Sequence, residues 1–116
     1  PTAVINLPAP GSEHAYDPQP GTTTLAITVM GRRMDAEDGD TNPIDGRDEG
    51  ADLAWSWRRA EAGSWSAPVN GETATLQIPL DVVSPDADIE IRLVVRDAGG
   101  LVGSTSITVN AIGVLL

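Results

Sequence analysis

Residues 34 to 52, "MDAEDGDTNPIDGRDEGAD", hold the densest set of oxygen ligands in the chain. Asp35, Glu37, Asp38, Asp40, Asp45, Asp48, Glu49 and Asp52 stand there with only Arg47 to offset them. Hard Ca²⁺ takes about six to eight oxygens from a flexible loop, so calcium is the cation this composition would suit. The run 38–49 nearly repeats a calcium loop, with Asp38, Asp40 and Asn42 at its first, third and fifth positions and Glu49 at its twelfth. The sixth position of such a loop needs a glycine turn; Pro43 stands there instead, its φ fixed near about −65°. The flanks also read as strands, so an EF-hand does not fit. Two readings remain. One is a looser site at a sandwich edge, with Asp97 of "RDAGG" joining Asp38 and Asp40. The other is a solvated connection, whose like charges repel weakly in water and salt.

The remaining reactive residues are sparse. Trp55, Trp57 and Trp65 could offer indole faces to a sugar, but Trp55 and Trp57 share the parity of Leu53, so at least one of them should be a core plug. Trp57 is expected between the sheets. Trp65 lies in an irregular stretch near the surface and is the candidate for ligand contact. His14 is the only histidine, in a Pro/Gly-rich segment. Arg32 and Arg33, like Arg58 and Arg59, would either screen the base of the acidic loop or meet a neighbouring subunit. No Ser/His/Asp set, phosphate loop or zinc motif can be assembled, and a small sandwich lacks the deep cleft that general acid catalysis needs. No catalytic residue is assigned, and the chain reads as a non-enzyme.

The 116 residues fit one domain, 1–116, because two would each be too small to bury a good core. A formal net charge of −10 argues against nucleic acid or an anionic membrane as partner. No apolar run reaches the length of about 20 residues that a membrane span requires. Cysteine is absent, which removes disulfides and thiolate chemistry.

The elements that must position these residues follow from alternation with period two. Leu25, Ile27 and Val29 share one face; so do Leu53, Trp55 and Trp57; so do Ala74, Leu76 and Ile78. Ile89, Ile91, Leu93 and Val95 continue the pattern, as do Ile107, Val109 and Ala111. "AVINL" adds an edge strand stopped by Pro8 and Pro10, and "GSWSAPV" a short strand or rim. About seven short strands with turns between them predict an all-β sandwich of two antiparallel sheets. Residues 8–21 show no period and read as an extended crossing, making 1–21 a Pro-rich arm, while 112–116 form an apolar tail.

"RMDAEDGD", then "LAWSWR", then "IEIRLVVRDAGGLVGSTSITVNA" resembles the PKD type of immunoglobulin-like domain or a bacterial relative of it. The resemblance spans about residues 25 to 112 and departs at "WSWRRAEAGSW", after the aromatic strand. It implies a non-catalytic module that makes protein or carbohydrate contacts, in some cases with bound calcium.

Two functions fit. The first is a decoration or head/tail structural protein of a phage-like particle: a virion component assembled in host cytoplasm and oligomeric in place. A chain beginning at Pro1 without a signal peptide or cysteine would suit it. Val4 and Ile5 of the arm and Leu115 and Leu116 of the tail would grip neighbouring subunits, and the arm should be removable without unfolding the domain. The second is one module of a secreted adhesin or polysaccharide-degrading enzyme at the cell surface, stiffened by calcium, with Trp65 meeting a sugar.

Overall fold

A computed structural model describes residues 1–18, 23–34, 53–60, 62–96 and 100–114. Asp38, Asp40, Asn42, Glu49, Asp97, Leu115 and Leu116 lie outside the described residues, so the expectations placed on them are not addressed by it.

Eight strands are described: β1 (Thr2–Leu7), β2 (Glu13–Tyr16), β3 (Thr24–Met34), β4 (Leu53–Arg59), β5 (Val69–Asn70), β6 (Thr73–Pro79), β7 (Ala87–Arg96) and β8 (Val102–Gly113). One helical turn, α1 (Leu80–Val83), joins β6 to β7. The strands form a three-stranded sheet, β1-β3-β6, and a five-stranded sheet, β2-β8-β7-β4-β5. This is the order of an immunoglobulin-like sandwich, with the first strand divided between the two sheets.

The alternating residues fill the space between the sheets. Leu25, Ile27 and Val29 of β3, Leu76 and Ile78 of β6, and Ile89, Ile91, Leu93 and Val95 of β7 are all buried. The largest buried side chain is Trp55, whose indole N–H donates to the Gly71 carbonyl at 2.8 Å. Gly31 makes the room for it. A Cβ at Gly31 would stand 2.8 Å from Trp55, from Leu93 and from the Val4 carbonyl.

Three features differ from the reading of the sequence. Trp57 packs against the core but is only half-buried, whereas Trp55 is wholly inside. Parity fixes the face of a residue, not its depth. β5 flanks β4 only at Ala54 and Trp55, so Trp57 lies on a stretch of β4 that β5 does not cover.

The second difference is at the N-terminus. The described residues 1–18 of the expected arm are not detached. β1 pairs with β3 from Thr2↔Met34 to Leu7↔Met30, burying Ala3 and packing Ile5 against the core. Val4 lies half-buried opposite Arg32. The chain then crosses at Gly11 (φ 75°) into the other sheet, where β2 pairs in parallel with β8. The sheets are therefore not wholly antiparallel.

The crossing is held mainly by backbone. Gly11 N–H donates to Thr108 O, Asn110 N–H to Ser12 O, and Val114 N–H to Tyr16 O. Ile112 and Gly113 of the expected tail belong to β8.

The third difference concerns the arginines. Arg33 continues the inward parity of β3 and is buried, with Nη1 donating to the Arg96 carbonyl at 2.8 Å. Arg58 and Arg59 lie opposite Glu90 and Ile89, at the far end of β4 from Leu53, which follows the acidic segment.

Candidate functional site

The outward residues of the five-stranded sheet form rows set by its register. Arg58, Glu90 and Thr108 share one row, and Ser56, Arg92 and Ser106 the next. The segment after β4 folds back along this sheet. Ser66 N–H donates to Trp57 O at 2.8 Å, and Ser66 Oγ accepts from Trp57 N–H at 2.9 Å. That reciprocal pair fixes the neighbouring Trp65 over the sheet. Ser56 faces outward by parity and is nonetheless buried, as befits a position beneath a covering segment.

The Trp65 ring is met by two cations. The guanidinium carbons of Arg58 and Arg92 lie 4.4 and 4.3 Å from its centroid. Guanidinium–indole contacts contribute about 0.5–1 kcal/mol at exposed sites and more when desolvated. Arg58 is itself held, because its Nε donates to Glu90 Oε1 at 2.7 Å. The result is a half-buried indole in a fixed pose, with two guanidiniums and one carboxylate around it and hydroxyls from β8 in the same rows. Such a surface can stack on a flat apolar group and hydrogen-bond to carboxylates or hydroxyls.

Of the expected contact residues, Trp65 is thus on the surface and anchored, while Val4 and Ile5 sit in β1 on the other sheet. Arg58 and Arg92 are the functional candidates not connected to Trp65 in the sequence reading. Only strand register brings residues so far apart in the chain onto one ring.

A second feature lies at one end of the sandwich. An open groove of about 330 Å³ is lined by Glu13, Asp86, Asp88, Asn110 and Ile112 among others. Its two aspartates are engaged structurally. Asp86 Oδ1 accepts from the Tyr16 hydroxyl at 3.1 Å and from Gly113 N–H at 2.7 Å, and Asp88 accepts from Asn110 Nδ2. Among the described residues no group of three or more His, Cys, Asp or Glu is placed to hold a metal ion.

His14 of β2 is hydrogen-bonded through Nε2 to Ser12 Oγ at 2.8 Å, and partial burial lowers its pKa below the ordinary 6.5. Burial disfavours the charged ring, so the unfolded chain binds the proton more readily than the folded one. Stability contributed by neutral His14 is therefore complete above pH 6.5 and is lost as pH falls through the lowered value. Chemical denaturation along a pH series should show a modest decline in that window, and His14→Gln should remove it.

No model of a known protein family, no curated protein and no solved structure matches this chain.

Proposed function

We propose that the chain is a non-catalytic immunoglobulin-like interaction module that attaches to a larger protein assembly through the Trp65 face of its five-stranded sheet. The assembly would be the shell or tail of a phage-like particle, where sandwiches of this kind recur, and the PKD-like character of the sequence motifs belongs to the same proposal. One observation carries the reading. Trp65 is a large aromatic already fixed by Ser66, Arg58 and Arg92, so docking a partner on it would cost little further ordering. Tryptophan and arginine dominate the energetics of protein interfaces when they cluster in this way. The patch also carries two cations against one anion on a chain of net charge −10, which favours an acidic counterpart.

A second reading is a carbohydrate-binding module at a cell surface. The Ser106 and Thr108 hydroxyls in the rows of Arg92 and Arg58 favour it, since an indole edged by hydroxyls and guanidiniums suits a sugar ring. Truncation separates both readings from a purely structural role for Trp65. Trp65→Ala should leave the core intact yet weaken attachment by about 30-fold or more, the equivalent of a contact worth at least about 2 kcal/mol. Co-sedimentation with particles of the source and a glycan array would be read in parallel. Loss on the array alone supports the sugar reading, and loss on neither surface defeats both.

A further inference from the structure

The three-stranded sheet ends at β6, whose outer edge is paired with no other strand among the described residues. Gly31 N–H donates to Glu72 O at 2.9 Å, and Leu80 N–H donates to Thr23 O at 3.0 Å. These bonds bracket the β3–β6 ladder and share its register, in which Ala74, Leu76 and Ile78 face Val29, Ile27 and Leu25. Opposed residues in an antiparallel pair alternate between bonded and non-bonded positions. Ala74, Leu76 and Ile78 therefore turn their backbone groups towards β3. The N–H and C=O groups of Thr73, Thr75 and Gln77 turn the other way, to an edge that no other strand among the described residues occupies.

Long open edges are usually blunted by charge, bulges or proline. The other edges of this sandwich are. β1 has a register shift between Ile5 and Leu7, β5 is two residues long, and β2 is four residues long and carries Glu13. β6 is seven residues long, pairs without a shift and carries no charge, on a chain of net charge −10.

We propose that β6 is a self-association edge, where a second copy of this chain adds its own β6 in antiparallel register about Thr75. This joins two three-stranded sheets into one. Thr75 then faces Thr75 of the second copy, and Thr73 faces Gln77, so every outward group on these residues meets a partner in about six main-chain hydrogen bonds. Threonine pairs are favourable across such a ladder.

The ends of the ladder are also defined. Pro79, with no N–H to give, comes opposite Gly71, whose N–H is already bonded to Leu53 O at 3.2 Å and whose carbonyl accepts from Trp55. A two-fold axis at Thr75 keeps each Glu72 away from its counterpart, opposite Ile78. The neutral edge thus accepts a copy that the rest of the surface would repel. This inference uses the opposite sheet from the Trp65 face and does not depend on it.

Two substitutions in the full-length chain test it. Thr75→Pro removes only an outward N–H, leaving the β3–β6 ladder whole, and proline is tolerated on an edge strand. Sedimentation equilibrium over a concentration series should show a reversible dimer for the wild type and a monomer for Thr75→Pro, with similar melting temperatures. Cysteine is absent from the sequence, so Thr75→Cys gives a single thiol. The two Cα atoms at a bonded antiparallel position are about 5.5 Å apart, within disulfide reach. Thr75→Cys should therefore oxidise to a covalent dimer, while Ala26→Cys, exposed on the same face one strand further in, should not. A wild type that stays monomeric throughout overturns the proposal. So does a folded Thr75→Pro variant that dimerises normally, or cross-linking of Ala26→Cys as efficient as that of Thr75→Cys.

Discussion

Replacing Trp55 by Ala is expected to lower the stability of the domain by about 3 to 5 kcal/mol, the range for deleting a buried aromatic side chain. The substitution empties the largest fully buried site in the sandwich. Gly31 cannot fill the space, having no side chain, and the neighbouring Leu93 is held in the middle strand of its sheet. The Gly71 carbonyl also loses its 2.8 Å donor at the turn between β5 and β6. Trp57→Ala removes an indole that is already half exposed and should cost roughly half as much or less. Urea denaturation of the two variants checks the order. Equal losses, or a greater loss for Trp57→Ala, would mean that the core plug has been placed two residues too early.

Removing residues 1–7 should cost on the order of 3 to 5 kcal/mol, a large share of the about 5–15 kcal/mol that holds a domain folded. The deletion strips β1 from β3 along its whole length and opens the interior at Ala3 and Ile5. It also uncovers Gly103, packed so closely against the Pro1 carbonyl that a Cβ there would lie 2.1 Å from it. β3 would become a long apolar edge, the kind that recruits other strands and aggregates. A calorimetric melt should show a much lower, less cooperative transition for the truncated chain. An unchanged melt would restore the picture of a detachable arm.

The core strands were legible in the sequence because their inward residues are strongly apolar and recur at every second position, as in Ile89, Ile91, Leu93 and Val95. β2 was not legible, because its inward positions are His14 and Tyr16 and the strand is held chiefly by main-chain bonds to β8. Hydropathy cannot register a strand of that kind. Arg33 is a similar case: the period of β3 runs on through Gly31 to an arginine, whose Nη1 donates to the Arg96 carbonyl, a bond that hydropathy does not foretell.

The candidate site was half legible. Trp65 stood out as an indole in an irregular segment, but its cations come from β4 and β7, and their approach depends on a register that no local pattern encodes. The open edge of β6 was hidden for the same reason, since it is defined by the absence of a neighbouring strand on one side among the described residues.

The proposed attachment through the Trp65 face is open to a direct experiment: fractionating the native source on a density gradient with tagged wild-type chain, Trp65→Ala and Arg92→Ala. The wild type should migrate with a large protein assembly, and both variants, folded as judged by their melts, should be released to the top of the gradient. Wild-type chain that remains at the top, or variants that migrate with the assembly as the wild type does, would contradict it.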